Sequence, residues 1–359
     1  MSHPGGPLAS APWPGVGVED ATPMLLSVIA PCRNEAGYIT DFCRNVSEML
    51  LPSGWSLEVL IADGQSDDGT RELLSQWCIS DARFRWVENP QRIVSTGLNR
   101  CIEASRGAVI ARLDIHSQYA DDYLLQCVQV LEQTGADNVG GAWRAQGSGG
   151  MQKAVAAAFQ SPWVAGGARS RDVDFDGEVD TVYLGCWPRA TLAKVGGFDE
   201  ELVRNQDDEH NLRIRRAGGR IWQSSRIRST YFPRGKLSQV FRQYAQYGYW
   251  KPFVIRKHGQ PAALRHLVPA AFVVALAAAA LLALSGRAWP LVALVDAYAV
   301  LLALALVGMR EQANSLGKAL RVVAVVAAYH VGYGWGSLCG WRDILLGRGP
   351  RPQWGALTR

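Results

Sequence analysis

Along the first part of the chain, short apolar runs alternate with segments whose apolar residues recur every three or four positions. LLSVIAP (25–31), LEVLIAD (57–63), FRWVEN (84–89) and AVIARLD (108–114) read as strands. ITDFCRNVSEML (39–50), TRELLSQWC (70–78), STGLNRCIEAS (95–105) and DDYLLQCVQVLEQT (121–134) carry helical spacing. Strand, glycine-bearing turn and helix, repeated through short links, predict a parallel α/β sheet. NVGGAW (138–143) opens a further strand, and the stretch that follows to Trp222 is periodic nowhere for long.

From Leu267 the pattern changes to Ala, Leu and Val with almost no charge. Residues 267–284 and 289–309 are each long enough to cross a bilayer as a helix, and neither has the polar face of a soluble one. The third apolar segment, 319–340, contains His330 and a run of glycines, so it either spans or lies partly in the interface. Ahead of these, 231–259 mixes Phe241, Tyr244, Tyr247 and Tyr249 with Arg242, Gln243 and Gln246, the pattern of an interfacial helix with aromatic anchors. Residues 1–23, rich in Pro, Gly, Ala and Ser, read as a disordered lead that lacks the basic start and apolar run of a signal peptide. The expected organisation is lead (1–23), α/β domain (24–230), interfacial helices (231–266), membrane region (267–340) and tail (341–359).

The net charge of +5 is modest and much of the excess flanks the apolar segments, which favours a membrane over nucleic acid as partner. Lys251, Arg256, Lys257, His258, Arg265 and His266 put the approach to the first span on the cytoplasmic side. Arg310, Lys318 and Arg321 join them if 267–309 is a hairpin, but a third full span would carry Arg342, Arg348, Arg351 and Arg359 across, against the same rule. Seven cysteines with no C-x-x-C pair fit neither a zinc knuckle nor a disulfide framework.

Candidate chemistry falls at strand ends. In an open α/β sheet ligands bind beyond the carboxyl ends of the strands, where Asp63 and Asp114 stand. Asp114 and His116 sit two apart in an extended segment, so they point the same way and suit a divalent metal over a phosphate group; the alternative is a strand running out into a polar loop. Asp67 and Asp68 are either turn caps or part of the same site. Asp207 and Asp208 open a helix, where acids are favourable in any case, or one of them is a general base. There is no GxGxxG after the first strand and no GxxxxGK[ST], which argues against a dinucleotide oxidoreductase and an ordinary ATPase loop.

Taken in order, PCRNE, LIADGQSDDGT, ARLDIHSQY, GGAW, SPWVAGGAR, GGFDEELVRNQDDEHNLRIRRAGG and YFPRGKLSQVFRQYAQYGYWK resemble a family 2 glycosyltransferase of the membrane-bound exopolysaccharide, succinoglycan glucosyltransferase type. That resemblance implies an α/β GT-A fold and an inverting transfer of a sugar, glucose in the named type, from a UDP-sugar to a polyprenyl-linked or other lipid acceptor, with Mg²⁺ or Mn²⁺. It further implies a multi-pass protein of the inner or plasma membrane with its catalytic domain in the cytoplasm, working beside other polysaccharide assembly proteins. By the same resemblance Pro31, Arg33, Asn34 and Glu35 border the nucleotide, Asp63 receives the uracil or ribose, and Asp67 and Asp68 lie beside it. Asp114 and His116 fall on the metal motif, with histidine in place of the commoner acid, and Asp114 also faces the donor. Asp207 takes the place of the catalytic base; Gln206 replaces the usual neighbouring glutamate, and a shifted register would move the base to Asp208. Trp187, Arg234, Gln243, Gln246, Tyr247 and Trp250 mark the acceptor or interface region. The Gln-x-x-Arg-Trp motif of processive synthases is incomplete here, which favours single sugar addition. A processive synthase and a non-catalytic scaffold of an assembly complex are the alternatives.

Overall fold

The computed structural model describes residues 24–355. The expected lead (1–23) and the last four positions of the tail lie outside the described residues. Strands β1 (Met24–Cys32), β2 (Trp55–Asp63), β3 (Phe84–Glu88) and β4 (Val109–Arg112) alternate with helices α1 (Ile39–Ser47), α2 (Thr70–Ser80) and α3 (Val94–Ala104). They pair in parallel in the order β3-β2-β1-β4. Beyond them come β5 (Gln118–Tyr119), α4 (Tyr123–Thr134), β6 (Asn138–Gly141), β7 (Trp143–Ala145), α5 (Gly150–Gln160), β8 (Gly177–Glu178), β9 (Tyr183–Pro188), α6 (Arg189–Val195), α7 (Gln206–Arg216), β10 (Ile221–Gln223) and β11 (Ser229–Tyr231). β9 enters antiparallel between β4 and β6, and β10 and β8 complete an eight-stranded sheet; β5, β11 and β7 form a small second sheet.

The central strands are apolar on both faces because helices cover both. Leu26, Val28 and Ala30 of β1 join Val59 and Ile61 beneath α1 and α4, whereas Ile29 joins Leu60, Ala62 and Ile110 beneath α3. Glu58 is a buried charge within β2, and four groups satisfy it: Ser27 Oγ at 2.6 Å, the backbone N–H groups of Arg106 and Gly107 at 2.5 and 3.2 Å, and Arg85 at 2.9 Å. The seven cysteines are free thiols.

Four long helices follow: α8 (Leu237–His258), α9 (Val268–Leu284), α10 (Trp289–Gly308) and α11 (Leu316–Leu345). Among the described residues three segments are long and apolar enough to cross a membrane, Leu264–Leu284, Trp289–Gly308 and Leu316–Leu345, with mean hydropathies of 2.6, 2.4 and 1.3. The first two are barely covered by the rest of the molecule, while more than half of the third is buried inside it. The glycines that make 319–340 ambiguous as a sequence explain that burial. Gly332, Gly336 and Gly340 recur every four residues along α11, and a Cβ at each would run into the backbone carbonyls of Phe241, Ala245 and Tyr249 in turn. Small residues at this spacing let two helix backbones approach closely.

α8 therefore differs from the expected surface-lying helix. Covered by α11, it buries Val240, Ala245 and Gln246 and the continuous stretch Gly248–Val254, so that Tyr249 and Trp250 are core residues and not interfacial anchors. α11 also meets the α/β domain along its length, from Val322 to Cys339. Tyr329 Oη donates to the Val155 carbonyl of α5 at 3.3 Å, and Cys339 packs with Tyr249, Trp250, Val254 and Leu202.

Candidate active site

At the carboxyl end of β1 the chain turns through Asn34, whose φ of +55° is left-handed, a conformation asparagine tolerates better than most residues. Asn34 and Asp67 exchange two hydrogen bonds, at 2.9 and 3.0 Å. The Asn34 N–H donates to Ser66 Oγ at 2.9 Å, Glu35 N–H to Thr70 Oγ1 at 2.9 Å, and Ala36 N–H to Asp68 at 3.1 Å. Asp63, fully buried at the end of β2, accepts from Ser66 Oγ at 2.5 Å and from Arg71 Nε at 2.6 Å. Burial would raise the Asp68 carboxyl, but hydrogen bonds from Thr70 and Ala36 hold it below its ordinary value. Asp67 and Asp68 thus fasten the β1 loop to the β2 turn, Asp63 braces that turn through Ser66 and Arg71, and all three stand behind the cavity wall. Pro31, Arg33, Asn34, Glu35 and Asp114 form the wall itself.

Arg112, Asp114 and His116 leave β4 at a spacing of two and all reach the same cavity. The Asp114 backbone is held by Tyr119 Oη, which accepts from its N–H at 2.7 Å and donates to its carbonyl at 3.0 Å. Arg112 is a buried fork: one terminal nitrogen donates to Asp114 at 3.2 Å and the other to Asp207. Glu35 pairs with His116 Nδ1 at 3.1 Å, an arrangement that orients an imidazole and directs Nε2 elsewhere. Among the described residues no cluster of three or more His, Cys, Asp or Glu side chains is placed to hold a metal. Asp114 and His116 both line the cavity, and a carboxylate with an imidazole is a donor pair that would suit Mg²⁺ or Mn²⁺.

α7 starts at Gln206 on the left-handed Asn205, whose side chain donates to the Tyr247 carbonyl of α8 at 2.8 Å. This contact sets the direction in which the first turn points. Gln206 is nearly buried, Asp207 faces the cavity beside Arg112, and Asp208 is paired with Lys251, which is only 2% exposed. Poor solvation pushes the Asp207 carboxyl up to about 6, although Arg112 opposes the shift. Burial acts on Asp208 in the same sense, but Lys251, with Arg265 and His266 nearby, brings it down to about 2. Two adjacent acids are thereby given different properties: the Asp207 carboxyl is raised and the Asp208 carboxyl is held as an anion by Lys251.

The cavity has a volume of about 1200 Å³ and continues past Asp207 to Arg234, Gln243 and Tyr247, then to Val268 and Phe272 of α9, Tyr298 and Leu301 of α10, and Tyr329 of α11. Three residues expected at the acceptor end lie elsewhere. Trp187 is 2% exposed in the core, edge-on to Phe198 at 5.9 Å. Trp250 is buried and donates to the Trp354 carbonyl at 3.0 Å, and Gln246 is buried behind the wall, where it faces Arg204. In each case the α8–α11 seam or the sheet core claims a side chain whose neighbours in sequence do reach the cavity. Sequence reading missed Arg112, although its spacing of two from Asp114 signals it. It also missed Arg171, Arg204 and Lys251, which nothing local marks.

A twisted, mostly parallel sheet with an antiparallel strand inserted after β4 and acids at its strand ends defines a GT-A glycosyltransferase fold, here with apolar C-terminal helices suited to membrane anchoring. The description Glycosyl transferase family 2 matches residues 27–187. The succinoglycan biosynthesis protein ExoA of Rhizobium meliloti (strain 1021) is 35% identical over 259 residues, covering 72% of this chain and 78% of that protein. The dolichyl N-acetyl-alpha-D-glucosaminyl phosphate 3-beta-D-2,3-diacetamido-2,3-dideoxy-beta-D-glucuronosyltransferase of Methanococcus voltae is 24% identical over 240 residues, 65% of this chain and 74% of that one. Among solved structures, the mannosyltransferase PcManGT from Pyrobaculum calidifontis, in complex with GDP-Man and Mn²⁺, superposes with a TM-score of 0.56 at 20% identity, covering 87% of this chain and 86% of that one. The chain belongs to glycosyltransferase family 2 and is related to its exopolysaccharide-type members. It is a nucleotide-sugar-dependent enzyme that transfers a sugar to an acceptor.

Proposed function

We propose that the protein is a metal-dependent inverting glycosyltransferase that moves one sugar from a UDP-sugar to a lipid-linked acceptor, in the synthesis of an exopolysaccharide or another cell-surface glycan. The observation that carries this reading is the single cavity, whose walls run from the strand-end loops past Asp207 to apolar side chains of α9 and α10. A soluble donor reaches one end, and an acceptor whose carrier stays in the bilayer reaches the other. The relative named for succinoglycan biosynthesis makes glucose the first sugar to test. The Mn²⁺ and GDP-Man bound to the structural neighbour support a divalent ion at Asp114 and His116.

Asp207 takes the proton of an acceptor hydroxyl as that oxygen attacks the anomeric carbon from the face opposite the diphosphate. The new glycosidic bond forms, the anomeric C–O bond to phosphate breaks with its electron pair, and the configuration inverts. Arg112 aims the carboxylate of Asp207, and Glu35 holds the His116 ring. Asp208 takes no part in proton transfer because its charge is already paired with Lys251. Bound between Asp114 and His116, the metal would offset the charge that gathers on the departing diphosphate.

In this reading α9 and α10 cross the inner or plasma membrane as a hairpin, and α11 runs along its cytoplasmic face with the catalytic domain. The packing of α11 against that domain from Val322 to Cys339 supports this. Arg310, Lys318, Arg321, Arg342, Arg348 and Arg351 then share the cytoplasmic side, which removes the conflict a third span would create. The test is nucleotide release from a panel of donors by membranes carrying the protein, with and without chelator. Release from a UDP-sugar that chelator stops is the expected result; release from no donor, or release indifferent to chelator, overturns the reading.

A further inference from the structure

His330 breaks the apolar pattern of 319–340, and it has no part in the transfer step described above. A polar side chain set among apolar ones costs free energy unless its hydrogen-bonding atoms are matched. Both ring nitrogens of His330 are. The Val164 carbonyl, 3.2 Å from Nε2, can only accept, so Nε2 carries the proton and donates. Nδ1 is then bare and accepts from Tyr298 Oη at 3.2 Å. Tyr298 of α10 is itself stacked on Phe272 of α9, with ring centres 4.8 Å apart. One neutral imidazole thus joins α10 and α11 to a loop of the α/β domain, with α9 stacked behind.

That loop, 161–168, runs from α5 to the 3-10 turn Arg169–Arg171. Trp163, Val164, Ala165, Gly166 and Ala168 line the cavity. The loop's own backbone bonds are local, from Val164 and Ala165 to the Ser161 carbonyl and from Gly167 to that of Pro162, so they shape the turn without placing it. Its place is set by the C-terminal helices. Val164 packs on the cluster that includes Ala305, Met309, Val322 and Val325, and its carbonyl accepts from His330. Gly166 and Gly167 take left-handed φ values of +61° and +70°, and a Cβ on Gly166 would stand 3.3 Å from Arg265 Cβ, which leaves no slack on that side. Just past the loop, the Arg171 guanidinium carbon lies 3.6 Å from the ring centre of Phe159 and 4.1 Å from that of Trp143, so a shift of the loop is passed on to the wall beyond it.

We propose that His330, oriented by Tyr298, is a positioning residue for acceptor binding: it holds loop 161–168 where the loop shapes the acceptor side of the cavity. This inference rests on the reading above, in which the acceptor occupies the end of the cavity that meets the C-terminal helices. The loops at the donor side are braced by their own side chains, so a change at His330 leaves them in place.

The test titrates sugar transfer by the full chain in neutral detergent with a total lipid extract of the cells that make the protein, using the UDP-sugar that the unaltered protein accepts, and measures UDP binding beside it. His330→Ala should raise the extract concentration giving half-maximal transfer by roughly ten- to a hundredfold, with the rate at saturation lowered less than about threefold and UDP affinity within about twofold. His330→Gln, whose carboxamide nitrogen stands in for Nε2, should recover most of that loss. Tyr298→Phe, which leaves Nδ1 without a donor, and Gly166→Ala, which displaces the loop from its other side, should each raise the half-saturating concentration about three- to tenfold. An unchanged half-saturation in His330→Ala overturns the proposal. A loss shared equally by UDP affinity, or one that His330→Gln does not recover, makes His330 a packing residue and overturns it too. Normal half-saturation in Gly166→Ala removes the loop as the intermediary, with the same consequence. Should His330→Ala fail to fold, Tyr298→Phe carries the comparison. Transfer by the unaltered protein that does not rise with the extract, while UDP still binds, overturns the acceptor reading itself and the inference with it.

Discussion

The two ends of the cavity are built by different means. The end under β1 and β2 is stitched by short polar side chains within a few residues of two strand ends, with Asn34, Ser66, Asp67, Asp68 and Thr70 bonding one loop to the other. The other end is assembled from Trp143, Phe159, Arg171, Tyr244 and Tyr329, which belong to separate elements far apart in the sequence. A braced loop is rigid before any ligand arrives and suits a nucleotide, whose shape is constant. A helix seam holds long side chains around a space that α9 and α10 also wall. Asp207 stands between the two, and its orientation depends on both: Arg112 from the sheet side, and Asn205 bonded to α8 from the other.

The largest effect is expected where the two ends meet. Asp207→Asn keeps size and helix-start geometry but loses the proton acceptor, so turnover should fall by roughly 10²–10⁴-fold while nucleotide affinity is retained, as read by parallel transfer and binding assays. Normal transfer by this variant would leave the first turn of α7 as a capped helix only. Lys251→Ala should act through stability instead. It strands the Asp208 carboxylate in a poorly solvated place, at a cost of about 3 kcal/mol, visible as a lowered denaturation midpoint with residual transfer by the molecules that remain folded. A variant as stable as the parent would show that Asp208 does not need its partner.

On the braced side, Glu35→Gln leaves the loop in place but weakens the hold on His116, so the metal concentration giving half-maximal transfer should rise by roughly ten- to a hundredfold. An unchanged metal dependence would detach His116 from the ion. The smallest effect is a pH profile. Asp207 serves as base only when ionised, and its carboxyl is raised to about 6, so log(kcat/KM) should climb with a slope near one up to about pH 6 and level above it. A flat profile from pH 5 to 7 would separate the rate from this group.

The same contrast decides what was legible in the sequence. Strand runs, their terminal acids and the two-residue step from Asp114 to His116 are local patterns, and the structure keeps them at one sheet edge. Asp67 and Asp68 leave two local readings open, turn caps or part of the site, and their hydrogen bonds run to Asn34, Ala36 and Thr70. Trp187 and Trp250 misled because aromatic residues beside motif residues carry no mark of which face they take; packing against Phe198 and Trp354 settles that. The glycines of α11 looked like an interruption of an apolar span, and their meaning as a seam exists only in the presence of α8. Arg171 lies in the stretch without periodicity, where no local rule points it at Phe159 and Trp143.

The most direct test of the account is the mass of the lipid product. Membranes carrying the protein are incubated with a UDP-sugar and a lipid-linked sugar pool, and the extracted lipids are weighed by mass spectrometry beside nucleotide release. The account predicts a single added sugar on the lipid-linked acceptor, one per nucleotide released, absent with Asp207→Asn. A ladder of additions, or nucleotide release with free sugar and no altered lipid, would contradict it.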